Sequence, residues 1–478
     1  MPNLTPTELF AILAACGVVL LHLAGALHVL HALMNVRTAQ GTIAWIICLI
    51  AFPYITIPFY WIFGRNKFSG YVRARRADDE RLSNLSAEMR GALQVYEVDE
   101  TTPFLVASEK LGGLPLVRGN KLDLLINGEA TFKSLFARIE EARDYILVNF
   151  FIVKNDELGQ HFRDLLIKKA RAGLKVYFLY DEIGSKKLSK SFLGDMRDAG
   201  IECRSFGANR FWSSRLQLNF RNHRKIVVID GQTSFLGGLN IGNEYLEGNK
   251  RLGAWRDTHL CIEGPATLAV QLVFFEDWYW ATRDVPDIHT TPKACVENQS
   301  VLILPSGPAD PFESWKLFIV EAANTARTRL WITSPYFVPD QGVLSALQAA
   351  ALRGVDVRIL LPEKPDHLLV YLSSYSFYEQ TLPIGVKLYR YQKGFLHQKV
   401  VLTDGHAAVG SANLDNRSFR LNFEITAFST DHRFVLEVEE MLVQDFASAR
   451  PVALSDFENR SFLFRAACRA ARLLAPLQ

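Results

Sequence analysis

Two long apolar runs open the chain, Leu9 to Met34 and Thr42 to Phe63. The first is broken only by His22, His28 and His31, and the second carries no charge. Each exceeds the roughly 20 residues that a helix needs to cross a bilayer, so the pattern predicts a transmembrane hairpin turning near Asn35–Gly41. A cleaved signal peptide fits poorly, because residues 1–8 hold no Lys or Arg and the apolar run is too long. The histidines of the first span are expected to be neutral and to face the second helix or the interface. The turn holds Arg37 alone, whereas Arg65, Lys67, Arg73, Arg75 and Arg76 follow the second span. That asymmetry predicts a multi-pass anchor with everything after residue 64 in the cytoplasm. The same basic cluster suits anionic lipid headgroups.

Beyond a charged connector, the pattern alternates between helical and strand periods, which argues an α/β architecture. Asn127 to Arg143 reads as a helix, Tyr145 to Phe151 as a strand, Leu158 to Ala172 as a helix and Leu174 to Leu179 as a strand. The series then recurs with Ser314 to Arg327, Leu330 to Thr333, Val343 to Arg353 and Val355 to Leu361. Gly173 and Gly354 close the matching helices, so the chain is read as an internal duplication. The expected division is an anchor at 1–64, a basic exit and connector at 65–120, a first half at 121–290, a second half at 291–456 and a basic amphipathic carboxy-terminal helix at 457–478. The Pro-, Asp- and Thr-rich stretch from Ala281 to Gln299 is the expected link between the halves. In the tail, helical spacing puts Arg465, Arg469 and Arg472 on one face beside Phe462, Leu463, Phe464, Leu473 and Leu474. An interfacial helix and a helix packed on the domain both fit that pattern.

Composition narrows the function classes. Hydrophobic residues make up 49% and charged ones 22%, and the net charge of +3 provides no basic field for nucleic acid. The six cysteines are scattered without CxxC spacing, which argues free thiols in a reducing compartment and neither a disulfide frame nor a zinc site.

The candidate chemistry lies in a motif that each half carries once. His223-Arg224-Lys225 leads a β-branched strand to Asp230 and is followed by Gly237-Gly238-Leu239-Asn240; His397-Gln398-Lys399 leads to Asp404 and is followed by Gly410-Ser411-Ala412-Asn413. A His and a Lys two apart project from one face of a strand. A single copy would be read as an exposed edge pair; two copies with matched downstream Gly and Asn point to a site. This pattern resembles the HKD motif of the phospholipase D superfamily in its two-motif members. The resemblance implies two pseudo-symmetric phospholipase D-type halves, mixed sheets flanked by helices, joined to form one site.

Two-step phosphodiester chemistry needs a nucleophile, a general acid that becomes a base, and fixed positive charge. The resemblance implies His223 as nucleophile, forming a phosphohistidine, and His397 as acid and then base. Lys225 and Lys399 would flank the phosphoryl oxygens, with Asn240 and Asn413 as neutral donors and Ser411 in support. Glu424 in the second half and Asp257 in the first match the family's His-orienting acids. Asp230 and Asp404 complete the motif at strand ends, where bracing suits them better than phosphate contact. Gly238 departs from the family's usual Ser or Thr and is expected to cost one supporting hydrogen bond. No carboxylate cage is evident, so no metal cofactor is expected.

Further stretches narrow the resemblance to bacterial cardiolipin synthases: Tyr60-Trp61-Ile62-Phe63-Gly64-Arg65-Asn66, Arg221-Asn222-His223-Arg224-Lys225, Gly238 to Tyr245, Ser334 to Asp340 and Asn413 to Phe419. It covers essentially the whole chain. What it implies is a bacterial inner-membrane enzyme that makes cardiolipin and glycerol from two phosphatidylglycerols, with anionic lipid as partner and without nucleotide or nucleic acid. A phosphodiesterase using water is the rival within the fold, and an inert lipid-binding scaffold the rival outside it. Phe211-Trp212 and Tyr336-Phe337 are candidate interfacial aromatics.

Overall fold

A computed structural model describes residues 5–36, 38–64, 80–99, 102–207, 219–288 and 291–478. The basic exit (Arg65, Lys67, Arg73, Arg75, Arg76), Arg37 and Phe211-Trp212 lie outside the described residues. The chain divides into an amino-terminal helical unit and a much larger unit that holds both motifs.

In the amino-terminal unit the first apolar run is one helix, α1 (Pro6–Asn35), opened by a capping box in which Thr5 and Glu8 satisfy each other's backbone. It is long and apolar enough to cross a membrane. The second run is not a single helix. It forms α2 (Ala39–Ala51) and α3 (Pro53–Phe63), broken at Phe52, whose backbone leaves the helical region (φ −139°, ψ 59°). The cause is Pro53, which removes one amide hydrogen and disfavours helical backbone in the residue before it. His28 accepts from Trp61 Nε1 (2.8 Å), and His31 Nδ1 lies 2.7 Å from the Tyr60 hydroxyl. Two of the three histidines therefore tie α1 to α3.

The larger unit is built on one continuous mixed sheet. Its amino-terminal strands are β1 (Val117–Ile126), β2 (Tyr145–Phe150), β3 (Lys175–Asp181), β4 (Glu202–Phe206), β5 (Arg221–Asn222), β6 (Ile226–Ile229), β7 (Thr233–Gly237), β8 (Trp255–Arg256) and β9 (Thr258–Glu263). The later strands are β10 (Gln299–Ser306), β11 (Arg329–Thr333), β12 (Phe337–Val338), β13 (Asp356–Pro362), β14 (Lys387–Tyr391), β15 (Phe395–Leu396), β16 (Val400–Leu402), β17 (Ala407–Gly410), β18 (Leu414–Asp415), β19 (Asn422–Ser429) and β20 (Ala449–Pro451). From the middle of the sheet one wing runs β1-β9-β7-β6-β2-β3-β4 and the other β10-β19-β17-β16-β11-β13-β14. These seven strands match one for one, β20 extends the second wing beyond β14, and the antiparallel β1–β10 pair joins the wings. In each wing the motif strand (β6 or β16) pairs antiparallel on both sides, and the outer strands pair parallel through helical crossovers.

The four helices that the apolar periodicity predicts are all present, two of them as such crossovers, at Glu157–Arg171 and Gln341–Leu352. Among them, α6 (Asn127–Glu141) and α7 (Glu157–Arg171) serve the first wing. A long helix, α8 (Ala266–Thr282), is buried on nearly every side and lies against that wing. The second wing has α9 (Ser314–Thr325), α10 (Gln341–Leu352), α11 (Leu368–Tyr375) and α12 (His432–Ala447) as its helices. Gly173 and Gly354, after α7 and α10, have φ of +98° and +89°, a left-handed turn that explains why both copies use glycine there.

The expected connector holds two helices, α4 (Glu80–Gln94) and α5 (Pro103–Gly112), which precede both motifs. These two helices precede α6 in the chain. Phe104 and Leu105 of α5 enter the second wing's core with Leu302, Leu304, Trp315 and Phe318, while α4 packs on α8. β1 also begins four residues before the expected boundary at 121. The carboxy-terminal segment forms α13 (Phe462–Arg472), packed against α11.

Candidate active site

The motif histidines are delivered by two short parallel pairings between the wings. β5 pairs with the start of β19, which puts the His223 amide on the Phe423 carbonyl (2.9 Å). β8 pairs with β15, which puts the His397 amide on the Arg256 carbonyl (2.8 Å). Each histidine is thereby set beside the acid of the opposite half. His223 Nδ1 lies 2.8 Å from Glu424 Oε2, and His397 Nδ1 lies 2.7 Å from Asp257 Oδ2. A carboxylate can only accept here, so each Nδ1 carries the proton and each Nε2 is left for chemistry. The acids thus orient across the pseudo-symmetry, which a half-by-half reading does not show.

Both carboxylates are fully buried. Glu424 accepts from Ser411 Oγ (2.6 Å), Ser418 Oγ (2.8 Å) and Asn422 Nδ2 (3.3 Å) besides His223. Asp257 has a sparser shell, with the Thr258 amide at 2.8 Å besides His397. Gly238 stands where Ser411 stands in the other half, and a Cβ added there would lie 2.0 Å from Asp257 Oδ1. The first half therefore lacks the hydroxyl because the shorter acid fills its place.

Lys225 and Lys399 are buried, each curling back to the carbonyl of its own histidine, at 2.6 Å for Lys225. Burial is the dominant influence on all four motif bases. It pushes Lys225 down to about 7 and Lys399 down to about 8, against the pull of Glu424 and Asp257. It lowers His223 to about 4 despite Glu424, and it lowers His397 as well despite Asp257. Burial works to raise the two carboxyls, but His397 beside Asp257 and His223 beside Glu424 hold both below the usual range. Each lysine's charge is felt at the other's histidine, so the two motifs form one electrostatic site.

The remaining candidates serve the frame. Asp230 lies at the far end of β6 and accepts from the amides of Arg143, Asp144 and Tyr145 (2.8–2.9 Å). Asp404 does the same for Arg327, Thr328 and Arg329 (2.7–3.1 Å). Neither carboxylate contacts the histidines, so their grouping with the catalytic set is corrected: they fix the turn into β2 and β11. Asn240 accepts from the Ile152 amide and donates to the Tyr245 hydroxyl, and Asn413 bonds the Asp415 carboxyl. One amide hydrogen of each remains for a ligand. Tyr336 donates to Asp366 Oδ2 (2.6 Å), and Phe337 is fully buried in the core. The pair is packed rather than presented to an interface.

Pattern reading missed the buried acids beneath the motifs. Asp277 of α8 receives Arg224 (2.6 Å) and Asn222 (2.9 Å). Its counterpart Asp445 of α12 receives Arg256 through two 2.7 Å bonds and Gln398 at 2.8 Å. Their signal in the sequence is an Asp in a helical stretch at a similar distance after each orienting acid, 20 residues after Asp257 and 21 after Glu424.

The comparisons with known proteins agree with this geometry. The family model described as cardiolipin synthase, PLD-like domain, matches residues 135–260 and 319–446, one match per motif. A second, phospholipase D-nuclease N-terminal, matches residues 20–65. The chain is 47% identical over 465 residues to cardiolipin synthase A of Pseudomonas putida, covering 96% of each chain. It is 45% identical over 472 residues to that of Pseudomonas fluorescens SBW25, covering 97% of this chain and 98% of the relative. In fold it is similar to the phosphatidylserine synthase of Haemophilus influenzae, with a TM-score of 0.59 at 17% identity over 79% of this chain and all of that one. The paired motifs and the near full-length similarity place this enzyme in the cardiolipin synthase family of the phospholipase D superfamily, to which the chain belongs.

Proposed function

We propose that the enzyme transfers a phosphatidyl group between two phosphatidylglycerols, giving cardiolipin and glycerol. The observation that carries this reading is the crossed pair of carboxylate-held histidines with a lysine beside each. His223 Nε2 attacks the phosphorus, the bond to the headgroup glycerol breaks, and His397 gives that oxygen its proton. A glycerol hydroxyl of the second lipid then gives its proton to His397 and attacks the phosphohistidine, and the phosphorus–nitrogen bond breaks. Lys225, Lys399 and the free amide hydrogens of Asn240 and Asn413 stabilise the charge on the phosphoryl oxygens.

The assignment of His223 as nucleophile is supported by Glu424. Three further donors share that carboxylate, so it draws a proton onto His223 less strongly than the sparsely solvated Asp257 draws one onto His397. The nucleophile must be neutral and the acid charged. The finer reading of location is a bacterial inner-membrane enzyme, multi-pass through α1 and the broken α2–α3 segment, with its catalytic halves at 121–290 and 291–456 in the cytoplasm. The chain's basic residues after residue 64 support that orientation.

The test is a lipid-product assay on the purified chain in phosphatidylglycerol micelles with chelator, beside His223→Ala and His397→Ala. Cardiolipin with glycerol from the parent, and from neither variant, is expected. Phosphatidic acid without cardiolipin would move the enzyme to hydrolysis by water.

A further inference from the structure

The helix α13 packs on α11 through Phe464, Cys468 and Ala471. Its outward face consists of Phe462, Leu463, Ala466, Ala467 and Ala470, continued by Leu473 and Leu474 in the turn that follows. Phe462, Leu463 and Leu473 are 75%, 77% and 81% exposed. At 100° per residue these seven positions form one stripe, and none of them is polar. A helix on a water-facing surface normally turns its polar residues outward; this one does the reverse. Leu368 and Leu369, exposed at the start of α11, add to the apolar surface of the same helix pair.

Arginines flank the stripe. Arg469 reaches Glu379 (3.2 Å), Arg472 lies over the Phe377 ring (4.4 Å) and Arg460 over Phe464 (5.3 Å). Arg465 has no ion pair among the described residues, and its Nε is buried without a hydrogen-bond partner.

We propose that α13 with the start of α11 is a membrane-docking surface, its apolar stripe sunk to the headgroup–acyl boundary of an anionic bilayer and its arginines held at the lipid phosphates. Leu and Phe on one face with Arg along the flank is the pattern of a helix lying in the interface plane. A second copy of the chain fits less well. A stable protein contact needs roughly 800 Å² per partner, more than a stripe of seven residues, three of them alanine, supplies. The surface goes beyond the proposed reaction and would serve it by holding the catalytic unit at its lipid substrates.

The test uses the full chain in the His223→Ala background, so that lipid is not consumed, reconstituted in vesicles of phosphatidylglycerol and phosphatidylcholine. Cys16, Cys48 and Cys295 are changed to Ala, and a nitroxide is placed at Leu463→Cys, at Leu474→Cys or, as the water-exposed control, at Val296→Cys. Labels on α13 are expected to be relaxed by oxygen and screened from an aqueous nickel chelate, with the reverse at Val296. In the active chain, Leu463→Glu with Leu474→Glu is expected to slow turnover of vesicle phosphatidylglycerol on the order of tenfold, leaving turnover of dispersed short-chain lipid unchanged. Nickel access at Leu463 equal to that at Val296 would overturn the proposal. So would screening from both reagents with spin–spin broadening that disappears on dilution with unlabelled chain, which would assign the stripe to a second copy. The spin readout stands even if the enzyme turns over no lipid, so failure of this surface and failure of the proposed reaction are separable.

Discussion

Lys225 and Lys399 sit in the same buried pocket of charge as the two histidines, and this sets how the enzyme should respond to pH. His397, Lys225 and Lys399 must be charged when the phosphodiester binds, and His223 must be neutral. Burial brings the lysines down to about 7 and 8, so both lose protons just above neutrality in the free enzyme. His223 is held at about 4 and is already neutral at pH 6. Lys225 and Lys399 are needed in their protonated form, and burial lowers His397, which must also be charged, so kcat/KM should fall as pH rises. Above roughly pH 8 it should fall by more than tenfold per unit, because more than one proton is lost. Bound phosphodiester stabilises the ammonium groups, so the falling limb of kcat should lie at higher pH than that of kcat/KM. A kcat/KM profile flat to pH 9 would show that the lysines keep their charge and that burial is not what governs them. At this scale the sequence was informative about identity and silent about pairing. The repeated His, Lys and Asn are visible because spacing along a strand is local. That Glu424 serves His223 and Asp257 serves His397 depends on β5–β19 and β8–β15, pairings between residues some two hundred and some one hundred and forty positions apart. No local pattern records them.

At the scale of elements, α5 is the test of what the residues before the first motif are for. Phe104 is buried in the second wing's core, its ring 5.4 Å from Phe318, 5.4 Å from Phe428 and 5.1 Å from His406. Emptying that space removes the transfer energy of a phenyl ring and leaves a cavity among rigid aromatic neighbours. Phe104→Ala should therefore cost about 3–5 kcal/mol, measured as a lowered midpoint in urea, though the residue lies far outside either motif in sequence. A loss under about 1 kcal/mol would restore the connector reading. The alternating strands and helices were legible because each buries one face and carries the matching period. α4 and α5 were not, since a short amphipathic helix between charged stretches resembles a linker until its partner is known. The break at Phe52 was legible in principle, because Pro53 stands inside the apolar run, but hydropathy alone does not register a proline.

At the scale of the whole catalytic unit, the two halves are not separable modules that meet at a site. β1 and β10 make the sheet continuous, and the histidines reach their acids only through strand pairings between wings. Arg256, from the first half, is held by Asp445 of the second through two bonds of 2.7 Å, with both side chains more than nine-tenths buried. Arg224 crosses the other way, donating to the Glu424 carbonyl at 3.0 Å. Unfolding one half would strand a buried charge in the other and remove the backbone partner of its histidine. The unit should therefore unfold in a single transition, with tryptophan fluorescence and lipid turnover lost at the same denaturant concentration. Asp445→Ala leaves Arg256 buried and unpaired, and should lower the stability of that one transition by about 3–5 kcal/mol. Glu140→Ala, which removes a solvent-exposed partner 3.9 Å from Lys168, should change it by less than about 1 kcal/mol. Two resolved transitions in the parent chain, with turnover following only one of them, would mean that the halves fold independently and that the shared sheet is not what holds the site together.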